Sequence, residues 1–218
     1  MSIVIDSTLA LNNTTQSTSH SVSFNNVAGD FLIVAIIEQN SFSGNPVTSI
    51  TYNGVSLTLV DFQEAPNTQG AGVWRLANPA TGTNTLTINF SNNGPLYGAV
   101  QTYTGVDLAS PIDATNKGTS WNIGTSMSLP ITTVSDNATL FASAYIARNV
   151  TTYGANTTQV AYTAGTFLVV RSTNAITSAG ATTLSWTANS TEFLAYVIVA
   201  LKPDTGGGAN TTNFFLMM

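Results

Sequence analysis

The chain contains no cysteine and few charged residues. Without cysteine among its 218 residues, it cannot form disulfides, thiolate nucleophiles or cysteine-ligated metal sites. Only 7% of the residues are charged, against about 25% in an ordinary soluble domain. The few basic residues are scattered along a chain of net charge −5, so they form no patch that would neutralise phosphates. The sequence therefore predicts no nucleic-acid binding.

Long apolar runs are also missing. The longest, residues 31–37, has the length of a strand rather than of a membrane span. The first residues, Met-Ser-Ile-Val-Ile-Asp, lack the basic and apolar regions of a signal peptide. Because neutral, threonine-rich surfaces are common on proteins outside cells, we expect a location on a virion or extracellular surface, reached by lysis of the host cell. A secreted protein that has lost its leader is the alternative.

Threonine and asparagine take the place of charge and make up about a quarter of the chain. Threonine favours half-buried strands, and asparagine favours the turns between them. We therefore predict an all-β protein, a two-sheet antiparallel β-sandwich of jelly-roll type with no long helix. The pair Asn53-Gly54 predicts a type I′ hairpin turn. The predicted strands are residues 3–8, 19–24, 31–38, 47–52, 55–62, 72–76, 83–90, 98–103, 126–129, 139–148, 158–162, 166–172, 181–186 and 193–201.

The two halves of the sequence resemble each other faintly. Three segments of the first half, residues 30–35, 72–76 and 83–100, recur in the same order as residues 138–143, 168–172 and 181–198. We predict one sandwich domain over residues 1–203, with pseudo-repeat halves at 28–106 and 126–203 and an irregular connection at 107–125. Two separate small sandwiches are the alternative. Residues 204–218 are expected to form a glycine-hinged apolar tail.

One part of the sequence resembles a known type of module. It runs Gly72-Val-Trp-Arg-Leu-Ala-Asn-Pro-Ala-Thr-Gly-Thr-Asn-Thr-Leu-Thr-Ile and continues at Tyr103-Thr-Gly-Val-Asp107 and Ser110-Pro-Ile-Asp113. These residues resemble a jelly-roll module of phage structural proteins and bacterial surface proteins. The resemblance covers roughly residues 29–203 and implies a fold; it implies no activity and no functional residues.

The apolar tail is the most unusual feature of the sequence. Gly206-Gly-Gly208 precedes the apolar residues Phe214, Phe215, Leu216, Met217 and Met218. Exposed apolar side chains on a flexible segment are unfavourable in water, so we expect a partner to bury them. This predicts a non-enzymatic structural protein of a virus particle, such as a capsid decoration or a tail or fibre component, or of a similar surface assembly. We expect it to be a homo-oligomer.

Aromatic residues suggest a second function, that of a carbohydrate-binding or adhesive module. Trp121 is expected in a loop, beside Asn116 and Asn122, where an exposed ring and amides could contact a glycan. Trp74 and Trp186 are expected in strands and in the core.

Chemistry at charged side chains is weakly supported. Asp107 and Asp113 flank a loop and are weak calcium candidates, although capping of turns explains the same residues. His20, the single histidine, is expected on a strand surface, and no Gly-x-Ser-x-Gly motif is present to offer a serine nucleophile. We therefore predict no enzyme, no catalytic residues and no cofactor.

Overall fold

The structure is a computed structural model that describes residues 2–38, 44–65, 69–121, 124–191 and 193–206. It is all-β, with 73% strand and no helix, which confirms the predicted antiparallel β-sandwich class. Among the described residues, no helix has the length and apolar character needed to cross a membrane. The strands are β1 Val4–Asn26, β2 Phe31–Glu38, β3 Val47–Tyr52, β4 Val55–Ser56, β5 Thr58–Glu64, β6 Gly70–Ala77, β7 Gly82–Thr104, β8 Ile112–Trp121, β9 Ser126–Thr133, β10 Thr139–Ile146, β11 Val150–Tyr153, β12 Thr157–Thr163, β13 Phe167–Ser172, β14 Gly180–Ala188 and β15 Phe193–Leu201.

Most predicted strands are present, and β2, β3 and β15 have the predicted bounds. The turn at Asn53-Gly54 also has the predicted conformation, since both residues have positive φ. Residues 112–121 correct the expected irregular connection, because they form β8 along one edge of β15. An edge strand is half exposed and so has little apolar signal of its own; β8 depends on the pairing that β15 provides.

Strands β1 to β7 form the first sandwich. Its inner sheet has the order β5-β6-β2-β7-β1, and its outer sheet has the order β4-β3-β7-β1. Strands β1 and β7 belong to both sheets, because residues 4–13 pair with 96–104 and residues 19–26 pair with 82–89. The register is irregular between these two ladders, where the pair crosses from one sheet to the other.

Strands β8 to β15 form the second sandwich in the same way. Its inner sheet has the order β12-β13-β10-β15-β8, and its outer sheet has the order β11-β14-β9. The strands of the two sandwiches correspond in chain order: β10, β11, β12 and β13 take the places of β2, β3, β5 and β6. Strand β1 corresponds to β8 followed by β9, and β7 to β14 followed by β15. Each of the three echoing sequence segments lies at corresponding positions.

The two inner sheets pack against each other and produce a third apolar layer, the central layer, between the cores of the two sandwiches. In β2, Ile33 faces the central layer and Val34 faces the first core; in β10, Phe141 faces the central layer and Leu140 faces the second core. Strands covered on both faces must be apolar at every position, which explains the continuous runs in the inner strands. The molecule thus has more layers than the two sheets expected.

Candidate functional site

Trp121 is the last residue of β8 and is 48% exposed. It lies opposite Phe193 in the ladder, and the two ring centroids are 4.7 Å apart in an edge-to-face arrangement. The guanidinium carbon of Arg148, which follows β10, is 5.8 Å from the centroid of the Phe193 ring. Arg148, Phe193 and Trp121 therefore form a row across the ends of three adjacent strands, which we call the aromatic row.

Asn116 does not belong to the aromatic row. It is an odd number of positions from Trp121 on the same strand, so the two side chains point to opposite faces of the sheet. Its Nδ2 donates to the carbonyl oxygen of Pro130 at 2.8 Å and so links β8 to β9. The expected set of glycan contacts is therefore split, and Asn122 lies outside the described residues.

An open groove of about 610 Å³ lies on the Asn116 side. Its lining is neutral, with threonine hydroxyls, one amide and short apolar side chains. The corresponding residues of the first sandwich, Leu9 and Phe24, pack in the first core. Ile131 likewise packs in the second core beneath the groove, so the replacement of an apolar side chain by Asn116 is the difference between the two sandwiches here. The lining residues are Thr115, Asn116, Pro130, Ile131, Thr132, Ala181, Thr182 and Thr183.

The two calcium candidates have structural partners. Asp107 forms an ion pair with Lys202 at 2.9 Å and accepts hydrogen bonds from the backbone N–H groups of Ala109 and Ser110. The hydrogen bond from Lys202 is the largest cause that lowers the pKa of Asp107, and the same contact raises the pKa of Lys202. Asp113 accepts a hydrogen bond from the backbone N–H of Val134 at 2.7 Å. Across the described chain, no group of three or more histidine or acidic residues could hold a metal ion.

His20 lies in β1 as predicted, but it is buried rather than on the strand surface. Its Nε2 lies 2.8 Å from the carbonyl oxygen of Gly94 and donates to it, because a carbonyl can only accept. The imidazole also contacts Phe90 edge to face at 5.8 Å. The histidine thus links β1 to β7 where the two strands cross between the sheets, and its ring contacts are with Gly94 and Phe90 rather than with a serine.

Other carboxylates also hold backbone or charge partners. Asp61 pairs with Lys117 at 2.7 Å, and Glu64 accepts from the N–H of Gly44 at 3.0 Å. Asp30 differs, since its buried Oδ1 has no hydrogen-bond partner among the described residues and burial raises its pKa, with a smaller contribution from Asp204. A single such carboxyl provides no paired acid and base.

The comparisons with known proteins give no assignment: no family model, no curated protein and no solved structure matches this chain. The residues themselves must carry the argument. The aromatic row and the neutral groove are features of binding surfaces, because they offer stacking faces and hydroxyl groups. Local sequence could not have found the aromatic row, since Phe193 and Arg148 reach Trp121 only through strand pairing. The apolar tail, Phe214 to Met218, lies outside the described residues.

Proposed function

We propose that this chain is a non-enzymatic structural protein of a virus particle, such as a capsid decoration or a tail or fibre component, or of a similar surface assembly. The observation that carries the proposal is the central layer. It joins two sandwiches into one block with three apolar layers. A block that close-packed apolar layers hold together is typical of a structural building block.

The distribution of charged groups supports the same function. The carboxylates of Asp61 and Asp107 are each paired with a lysine, and others cap backbone N–H groups. General acid–base chemistry needs two positioned groups with separated pKa values, and these carboxylates serve folding contacts instead. The exposed surface is left to threonine, serine and asparagine, which present hydrogen-bonding groups to a partner or to water.

In the proposed assembly, the apolar tail docks into a neighbouring subunit or an attachment site. The test compares the full chain with a chain that stops after Gly206, by sedimentation and by attachment to the native particle. We expect the shortened chain to stay folded and soluble but to lose attachment. A matched control replaces Phe214 and Phe215 with leucine, which keeps the tail apolar and should keep attachment. Normal attachment of the shortened chain would contradict the proposal.

The alternative is a carbohydrate-binding or adhesive module, which the exposure of Trp121 beside Phe193 favours. The flat face of a sugar ring would stack on the aromatic row while Arg148 supplies hydrogen bonds. A glycan array tests this function with the wild type and Trp121→Ala, and Asn116→Ala tests the groove separately. Val134→Ala is the control, since Val134 is exposed in another part of the molecule. Silence of the wild-type chain across a broad array excludes the alternative.

A further inference from the structure

Strand β1 is an edge strand: among the described residues, no other strand forms a ladder with its outer side. It spans 23 residues, and in the part of the chain that the structure describes it pairs with β7 alone, whose other side is taken by β2 and β3. Its sequence contains no lysine, arginine, glutamate or proline. Asp6 is its one acidic residue, and the Asp6 carboxylate is engaged by Val27 and Ala28 of the same sandwich. Free edges of this length are normally protected, because they can pair with another chain.

The second sandwich shows what such protection looks like at the same positions. Ala10 of β1 lies opposite Ala99, and its counterpart in β8 is Lys117, opposite Val197. Ala10 and Lys117 are equivalent because their partners, Ala99 and Val197, are equivalent. Ala99 lies opposite Ala35 and Val197 lies opposite Ser143, and these two residues end the recurring segments 30–35 and 138–143.

A second position gives the same contrast. Ser23 stands three residues before Asn26, the residue that lies opposite Gly82. Pro130 stands three residues before Thr133, which lies opposite Gly180. Lysine and proline are the two residues most used to protect edges, and the second sandwich has both where β1 has alanine and serine.

The proline at position 130 also indicates which way the backbone N–H and C=O groups of Ser23 point. Pro130 has no N–H, yet β9 pairs with β14 on both sides of it, so the backbone at this position faces away from the ladder. The N–H and C=O of Ser23 therefore face the free edge. Ser19 is an even number of residues from Ser23, so its backbone groups point to the same side. This orientation agrees with its hydrogen bonds, because the hydroxyl of Ser17 donates to the C=O of Ser19 and accepts from its N–H. Ser21, Ser23 and Asn25 thus present backbone groups outward.

We propose that residues 20–26 of β1 pair antiparallel with the same segment of a second copy of this chain, around a twofold axis at Ser23. The segment is self-complementary in this arrangement, because Ser21 meets Asn25 of the other copy and Ser23 meets Ser23. Its exposed side chains are small and uncharged, so two copies meet without like-charge repulsion. Because Lys117 and Pro130 protect the corresponding edge of the second sandwich, each chain contributes only its β1 edge to this pairing, and the assembly closes as a dimer.

The proposal deepens the assembly function and rests on it, but it uses different residues from the apolar tail. The two can therefore fail separately. Loss of attachment on changing the tail reports on the tail, whereas loss of the dimer on changing Ser23 reports on the edge of β1.

The experiment measures the mass of the full chain by sedimentation equilibrium. We expect twice the chain mass of 22.7 kDa for the wild type and the single chain mass for Ser23→Pro and for Ser23→Lys. Ser23→Ala keeps the backbone N–H and should remain a dimer. Thermal melts of the variants test whether they fold. If Ser23→Pro disturbs the ladder to β7, Ser23→Lys still tests the proposal, because lysine keeps the backbone N–H.

The reciprocal variant opens the blocked edge. Lys117→Ala with Pro130→Ser should give masses above the dimer, because each chain then offers a second edge of this kind at the corresponding position of the second sandwich. A monomeric wild type, or a dimer that both Ser23→Pro and Ser23→Lys leave unchanged, overturns the proposal. If the wild type is monomeric and the full chain with Phe214→Ser and Phe215→Ser dimerises, the tail of the chain covers the edge, which also overturns pairing with a second copy.

Discussion

The carboxylate of Asp6 accepts a hydrogen bond from the backbone N–H of Val27 at 3.0 Å. Asp113 accepts the equivalent bond from Val134 at 2.7 Å in the second sandwich. Each aspartate stands at an irregularity in the register of an inner-sheet ladder, and each holds the turn that follows the outer-sheet edge strand. In both sandwiches, therefore, an aspartate of the inner sheet is hydrogen-bonded to the turn after the outer-sheet edge strand.

We expect Asp6→Ala to lower the free energy of unfolding by about 1–2 kcal/mol, in the range of a lost helix cap. The reason is that Asp6 also accepts from Ala28 and from the hydroxyl of Thr102. Urea unfolding measures the change. Asp113→Ala, which removes the bond from Val134, is the comparison and should cost less. Equal or reversed losses would contradict the role assigned to Asp6.

The same carboxylate predicts a dependence on pH. Burial opposes ionisation of Asp6, but hydrogen bonds from Ala28, Ser7, Thr102 and Val27 outweigh it and hold its pKa below the ordinary value of 3.8. The folded state therefore binds this proton less readily than the unfolded state. The resulting stability is complete above about 3.8 and is lost as the pH falls through the lowered pKa. Below pH 3.8, the free energy of unfolding measured in urea should fall less steeply with decreasing pH for Asp6→Asn than for the wild type. Parallel curves would refute this.

Phe141 tests whether the central layer couples the two sandwiches. It is fully buried between the inner sheets, so Phe141→Ala should cost about 3–5 kcal/mol. Trp74 lies in the first core and Trp186 in the second, and each can report by fluorescence with the other tryptophans replaced by phenylalanine. We expect both reporters to shift to the same lower midpoint. Separate midpoints would show that the sandwiches unfold independently.

Gly98 tests the close approach of β7 to β2. Its φ is +150°, and an added Cβ would run into the carbonyl oxygen of Ala35. Gly98→Ala should therefore cost at least about 3 kcal/mol, as backbone strain and overpacking add. Gly82→Ala is the matched control, because Gly82 has a φ of +81° but open space around it, and should cost about 1–2 kcal/mol. Thermal melts of the two variants measure the difference, and equal shifts would contradict the close approach.

Lys117 tests how much the ion pair with Asp61 contributes. The two side chains are 45% and 27% exposed, so water screens the attraction. Lys117→Ala should lower the free energy of unfolding by less than about 1 kcal/mol, as measured in urea. Lys202→Ala breaks the similarly exposed pair with Asp107 and should behave alike. A much larger loss at Lys117 would mean that it stabilises the fold rather than protects an edge.

The sequence-based predictions were best where local chemistry dominates. The apolar residues of β2 and β15 and the Asn53-Gly54 turn were placed correctly because their patterns need no partner to be recognised. The long strands β1 and β7 were each predicted as two pieces, since the polar residues between the pieces form strands only by pairing with each other. His20 was misplaced for the same reason, because Gly94 and Phe90 bury it from a distant strand.

The candidate site was predicted less well. Trp121 is exposed as expected, but it ends strand β8 rather than lying in a loop, because it pairs with Phe193 of β15. Its partners are Phe193 and Arg148 rather than neighbours in the sequence. Asn116 was grouped with it by proximity along the chain, although alternation along β8 places them on opposite faces. The role of the apolar tail, the location outside the cell and the absence of enzymatic activity stay predictions.

The sequence by itself determined the class of fold, because threonine, asparagine and short apolar runs allow little besides antiparallel strands and turns. It also contained the echo between the two halves. Tertiary structure alone decided that the halves stack through a central apolar layer. It also decided that β1 pairs on one side only within the described residues, at positions where the second sandwich has Lys117 and Pro130. The physical reason is that an edge or a layer is defined by which strands pair and which faces meet, and both depend on contacts between residues far apart in the chain.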